Sequence, residues 1–216
     1  MECQKSKNQR KNKRYSLLII LGIFFFFIGS LVLVYNHYEQ EKQLNLDNQL
    51  VEEFFEIEQE EVVEENTEEG VQETEKKEEI VIDYIAVLEI PKISLKRGLV
   101  DKTSPYNNVD RNIYMLKETT LPDDEDISHI YLASHSGNSS VSFFRNLKKL
   151  NINDKVNLYY KNTKYIYEVS KKYEIEKTGT MAISKTDISD ITLITCVSGT
   201  NKQIVFVAKL IDQQNY

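Results

Sequence analysis

From residue 80 onward the chain is written almost entirely in short strand-patterned segments separated by turn signals, and this limits the folds open to it. Ile85-Ala86-Val87-Leu88-Glu89-Ile90 stops at Pro91, which cannot donate to a ladder. Ser94–Val100 reads as a second short strand. Ser128–Ala133 is another, followed by the loop signal Ser134-His135-Ser136-Gly137-Asn138. Val156, Leu158 and Tyr160 alternate, as do Tyr165, Tyr167 and Val169. They predict strands over Lys155–Tyr160 and Tyr165–Ile175, joined by a tight turn at Asn162-Thr163. Thr192–Cys196 and Gln203–Leu210 form the last pair, around the polar turn Val197–Asn201. Thr103–Leu121 reads as irregular. Only Val141–Leu150 has helical periodicity. Phe143, Phe144, Leu147 and Leu150 share a face, Ser139 or Ser140 caps the start, and Lys148 and Lys149 suit the last turn. About seven strands and one helix predict an antiparallel barrel or sandwich, and the lack of strand–helix alternation excludes a doubly wound parallel sheet.

The N-terminus has a different logic. Lys5, Lys7, Arg10, Lys11, Lys13 and Arg14 precede an uncharged apolar run from Tyr15 to Tyr35. Its length is close to the roughly 20 residues a helix needs to span a bilayer. Tyr15, Tyr35 and Tyr38 sit at its edges, and the charge order places the N-terminus inside and the C-terminus outside. No small-x-small site follows, so the expectation is an uncleaved single-pass anchor in the cell membrane rather than a signal peptide. The basic tip thus belongs to membrane topology, and with a net charge of -7 the chain does not suit nucleic acid. The expected division is a cytoplasmic tail (1–14), a transmembrane signal-anchor (15–35), an acidic extracytoplasmic linker (36–79) and a folded domain (80–216). Within the linker, Leu46, Leu50, Phe54 and Ile57 fall on one helical face. The Glu-rich composition favours a juxtamembrane helix fading into a solvated tether. The alternative is a stripe that docks on the folded domain and covers its site.

The chain has two cysteines, Cys3 and Cys196, expected on opposite sides of the membrane, so no disulfide within the chain is expected. Cys196 ends a strand at the mouth of a hairpin-like pair. It is either a small buried hydrophobe or a nucleophile. A catalytic thiol needs a partner, because at its ordinary pKa only a few per cent is thiolate at neutral pH. His135, also at a strand–loop junction, is the candidate. His37 is juxtamembrane and His129 starts a strand, and both read as structural or solvated. No cofactor is expected. The acidic loop Asp123-Asp124-Glu125-Asp126 leaves calcium open, although such a run is more often simply solvated.

Taken in order, Ala86-Val87-Leu88-Glu89-Ile90-Pro91-Lys92-Ile93, Leu132-Ala133-Ser134-His135-Ser136-Gly137, the Phe143-Phe144-x-x-Leu147 segment, Thr192-Leu193-Ile194-Thr195-Cys196 and Val207-Ala208-Lys209-Leu210 resemble the sortase family. The resemblance covers about Tyr84 to Leu210. It implies a closed antiparallel β-barrel with one or two short helices, and a cysteine transpeptidase on the outer face of a Gram-positive membrane. It also implies that Cys196 attacks the Thr–Gly bond of an LPxTG-like surface-protein signal and forms a thioester. His135 would protonate the leaving amine, and a peptidoglycan precursor or another amine would accept the protein. One position departs from the family. The arginine expected at the start of the strand after the cysteine is Gln203 here, with Lys202 beside it as the less suitable substitute. Gln203 leaves a second expectation, a sortase-like barrel that binds sorting signals or partners with weak or no turnover. The short 177–190 loop and the absence of a lid motif fit a class A- or D-like, wall-anchoring enzyme.

Overall fold

The structure is a computed structural model that describes residues 21–35, 37–38, 48–57, 82–178 and 186–216. The chain divides into two units, Met1–Asn45 and Leu46–Tyr216. In the first, residues 21–35 are helical and present Phe24, Phe25, Phe26, Phe27 and Leu31 to the outside. No helix among the described residues is long and apolar enough to cross a membrane. Residues 15–20 of the expected anchor, the basic tip and most of the acidic linker lie outside the described residues.

The second unit is built on β1 (Ala86–Ile90), β2 (Leu95–Leu99), β3 (Tyr114–Met115), β4 (His129–Ala133), β5 (Lys155–Tyr160), β6 (Thr163–Glu176), β7 (Asp190–Cys196) and β8 (Lys202–Asn215). They form one eight-stranded sheet in the order β2-β1-β5-β6-β8-β7-β4-β3. The expected β-barrel is therefore present, with two corrections. It is nearly closed rather than closed: β2 and β3 are the sheet edges. Their seam is bridged by Asn112, whose Oδ1 accepts from Arg97 Nε (2.9 Å) and whose Nδ2 donates to Gly98 O (3.0 Å). It is also not wholly antiparallel, because β4 pairs with β7 in parallel. A crossover through β5 and β6 makes that possible, and crossovers are invisible to local patterning.

Alternation explains the core. Leu88, Ile130, Leu132, Val156, Leu158, Tyr167, Ile191, Leu193 and Phe206 all point into one cluster and are fully buried. Each such side chain contributes on the order of 1.5–3 kcal/mol through burial. β5 and β6 are joined by a two-residue turn at Lys161-Asn162, both with positive φ (46° and 56°), one residue earlier than expected.

The expected helix over 141–150 is not an α-helix. Only Leu147–Lys149 forms a 3-10 turn. Ser142, Arg145 and Leu147 donate three residues back, to Ser139, Ser142 and Phe144. Arg145 takes the Ser139 and Ser142 carbonyls with its guanidinium (2.7 and 3.2 Å). Serines and a competing side-chain donor draw the segment into successive tight turns. Phe144, Leu147 and Leu150 still reach the core.

Residues 48–57 dock on the folded domain, through a face shifted from the expected one and without covering the site, while Leu46 lies outside the described residues. Residues 48–57 are helical, and Val51 and Phe54 pack with Tyr84, Val87 and Val100, with Leu50 and Phe55 at the margin. Ile57 is exposed. The helix does not cover the Cys196 end of the sheet. Phe55 meets Tyr159, near the end of β5, and Tyr216, just past the far end of β8 from Gln203, edge to face.

Candidate active site

β4 and β7 run in the register His129↔Asp190 through Ala133↔Ile194. Two residues past that last pair stand His135, in the loop after β4, and Cys196, the last residue of β7, at the same end of a parallel pair. The strand ends are tied together there. Ser134 N–H donates to Ile194 O (3.3 Å), and Thr195 Oγ1 donates to Ser134 O (2.7 Å). Neighbouring strands lie about 4.8 Å apart, so residues at these two ends can approach one another. On the other side, β7 pairs with β8 so that Gln203 stands directly opposite Cys196.

Side chains alternate along strands, and Ile130, Leu132, Leu193 and Phe206 belong to the core cluster. Cys196 and Gln203 therefore share the opposite face, and His135 lies in the loop just past β4. That face also carries Ile194 and Val205, which are covered rather than open. Cys196 is free and half-buried. The His135 side chain is 42% exposed, and its carbonyl accepts from Phe144 N–H (3.1 Å).

The two substitutes for an arginine separate clearly. Lys202 lies across from Glu176 and pairs with Glu174 (3.2 Å), on the face away from the thiol. Gln203 stays on the thiol face, where its amide can offer a neutral hydrogen bond. His129 pairs with Asp190 (3.3 Å) deep in the fold, at the other end of β4 and β7. Asp123 accepts from Lys161 Nζ (2.6 Å), and Asp124 from Leu121 N–H (2.8 Å). Among the described residues no group of three or more His, Cys, Asp or Glu could hold a metal ion.

Two charged residues near the site were not singled out by the sequence. Asp110 lies 3.2 Å from His135 Nε2. Arg97 on β2 is 7% exposed, and its guanidinium lies 4.3 Å from the Phe143 ring centroid, beside the His135 loop. Burial lowers Arg97 to about 10, so it remains a cation at neutral pH. Its only signature is a cation alternating with Leu95 and Leu99. Asp110 has no signature at all in its own surroundings.

A parallel strand pair ending in His and Cys, with an antiparallel strand beyond the Cys, fits the expected family. The family model for the Sortase domain matches residues 88–211. The chain belongs to the sortase family. Sortases are cysteine transpeptidases, and this sortase has the barrel of its relatives. It resembles sortase A from Listeria monocytogenes, with a TM-score of 0.52 and 21% identity over 62% of this chain and 90% of that one. It likewise resembles a sortase D5 transpeptidase from Clostridium perfringens (0.51, 24%, over 60% and 80%). Sortase E1 from Streptomyces coelicolor is as similar (0.52, 20%, over 61% and 90%). None of the curated proteins compared with this sequence matches it significantly. Sortases of different classes match almost equally well, so the fold does not choose among classes.

Proposed function

We propose that the chain is a membrane-anchored, class A- or D-like sortase that cleaves LPxTG-like sorting signals and joins the cleaved protein to a cell-wall amine. The observation that carries this reading is that His135, just past β4, and Cys196, at the end of β7, stand at one tied end of a parallel strand pair. Cys196 Sγ–H gives its proton to His135, and the thiolate attacks the carbonyl carbon of the signal's Thr. The Sγ–C bond forms, the Thr–Gly C–N bond breaks, and the imidazolium returns its proton to the leaving amine. An incoming amine reverses the sequence, losing a proton to His135 as it displaces the thiol. Surface proteins with that signal, and a peptidoglycan precursor or other amine, are the proposed partners. The apolar run at 15–35 supports a membrane anchor with the N-terminus cytoplasmic and the catalytic domain outside.

Gln203 favours a second reading, a barrel that captures signals and turns over slowly. Losing an oxyanion donor costs about 10²–10³ in rate. Incubation with a panel of LPxTG-type peptides, followed by intact mass, tests the first reading. The expected result is a thioester on Cys196 that is lost in Cys196→Ala. Absence of an adduct across the panel would overturn the enzyme. An adduct that is slow to resolve, and that Gln203→Arg accelerates, would identify the second reading.

A further inference from the structure

The His135 ring has one hydrogen-bonding partner among the described residues. Its Nε2 lies 3.2 Å from Oδ1 of Asp110, on the loop between β2 and β3 and 25 residues upstream. The carboxylate is 84% exposed and the imidazole 42%. Two long, mobile side chains meeting at such a surface would be worth about 0–1 kcal/mol and little functional argument. Asp110, however, is short, and its backbone is held at both ends by buried asparagines.

Asn107 pins the first end. Its Nδ2 donates to Lys102 O (3.1 Å) and Met115 O (2.9 Å), and its Oδ1 accepts from Met115 N–H (2.7 Å). Asn112 pins the second. Its Oδ1 accepts from Arg97 Nε and from Ile113 N–H (2.9 and 2.8 Å), and its Nδ2 donates to Gly98 O (3.0 Å). The two are 9% and 2% exposed. Between them the chain makes one tight turn. Asp110 N–H donates to Asn108 Oδ1 (3.2 Å), and the Arg111 and Asn112 N–H groups donate to Asn108 O (3.2 and 2.9 Å). The pairing Tyr114↔Ala133 brings this turn up beside the end of β4. The loop thus presents Asp110 to the imidazole from a fixed backbone.

The other charged groups around the ring are turned elsewhere. Arg97 faces Asn112 and Phe143, Arg111 stacks on Tyr106 (5.2 Å from its centroid), and Arg145 binds the Ser139 and Ser142 carbonyls. On β8, Lys202 pairs with Glu174. A carboxylate only accepts, so the contact requires the proton on Nε2. Nδ1 then becomes the nitrogen that exchanges a proton with the thiol.

We propose that Asp110 is a positioning residue for the transpeptidation, holding His135 as the Nε2–H tautomer with Nδ1 free for Cys196, in a Cys–His–carboxylate arrangement. Asp110 keeps its negative charge throughout. The proton moves from Sγ to Nδ1 and on to the leaving amine, while the carboxylate orients the ring and stabilises the imidazolium. The arrangement supports the ion pair of thiolate and imidazolium in a site that has Gln203 where a guanidinium is expected. This inference rests on the proposed roles of Cys196 and His135.

The test uses the full chain labelled with [15N]histidine, with the His135 resonances assigned by their loss in His135→Ala. Wild type is expected to show the Nε2–H tautomer, and Asp110→Asn a mixture or the reverse. In parallel, hydrolysis of a fluorogenic LPxTG peptide with Glu at the x position is followed in wild type, Asp110→Asn and Asp110→Glu. Asp110→Asn should lose about 10-fold or more in kcat, well short of the ~10⁴-fold of a buried triad carboxylate, with KM within about twofold. Asp110→Glu should recover part of the loss, and thermal stability should not change. An unchanged tautomer, or a kcat equal to wild type in Asp110→Asn, would overturn the proposal. If wild type forms no thioester with any signal, the proposed function falls, and the tautomer comparison still decides whether Asp110 holds the ring.

Discussion

Asn112 gives the most direct measure of what closes the barrel beside its site. The residue is 2% exposed, and its amide makes three hydrogen bonds, with Arg97 Nε, Ile113 N–H and Gly98 O. Asn112→Ala deletes all three and removes the shared partner of a guanidinium, a backbone N–H and a backbone C=O. Each buried group so stranded costs about 1–3 kcal/mol, with the charged one at the upper end. Some water will enter the space left behind, so the sum falls toward the low side, at about 3–5 kcal/mol. That is a large share of the 5–15 kcal/mol typical of a domain. Asn112→Leu keeps the volume without the polarity and should lose at least as much. Asn112→Asp keeps both acceptor contacts and adds charge opposite Arg97, but it cannot donate to Gly98 O. It should lose only about 1–2 kcal/mol. The chain has no tryptophan, so urea unfolding is best followed by far-UV circular dichroism, with the midpoint moving and the slope constant. The expected order of stability is wild type, Asp, then Ala and Leu together. If the Leu variant were within 1 kcal/mol of wild type, packing would hold the seam and the polar clasp would be dispensable.

Gly98 sits where a Cβ would run into the Tyr84 ring, so Gly98→Ala must displace a residue at the centre of the cluster that seats the 48–57 helix. The variant should lose about 1–3 kcal/mol, and amides of residues 48–57 should exchange faster with deuterium; unchanged protection there would refute the link. Burial alone would raise the Glu89 carboxyl, but hydrogen bonds from Asn157 and Tyr159, with Lys164 and Lys96 nearby, hold it below its ordinary 4.5. An acid held low in the folded state stabilises above its unfolded value and loses that contribution as pH falls through the folded one. The stability gap between wild type and Glu89→Gln should therefore be wider at about pH 7 than at about pH 3, and an equal gap at both would refute the assignment.

What the sequence reveals of this fold tracks how local each feature is. β1, β5 and β7 can be read directly, because alternation or β-branched runs imprint on neighbouring residues. β6 ends within a residue of its expected end, but β8 extends past its own through Asp212, Gln213 and Gln214. That polar stretch is held by pairing with the first residues of β6. Nothing in its composition marks it as a strand. The parallel pairing of β4 with β7 is equally silent, since each strand looks the same whichever way its partner runs.

The site divides along the same line. Cys196 and His135 are visible because one ends a strand and the other lies in the loop signal just past one, and counting back from Val207-Ala208 finds Gln203. The structure adds that Gln203 faces Cys196 while Lys202 does not, which the strand period already implies. Asp110 could not be found this way. It reaches His135 through the pairing of Tyr114 and Met115 with Ala133 and Leu132, inside a stretch that reads as irregular. The asparagines that hold its loop act through side-chain contacts to backbone 5 to 14 residues away in sequence, which no periodicity records. A strand of two residues is too short to leave a pattern, yet it decides which carboxylate stands beside the imidazole. Under the proposed mechanism the chemistry at Cys196 depends on the weakest strand of the sheet, and substitutions at Asn107 or Asn112 should affect the thiol without touching it.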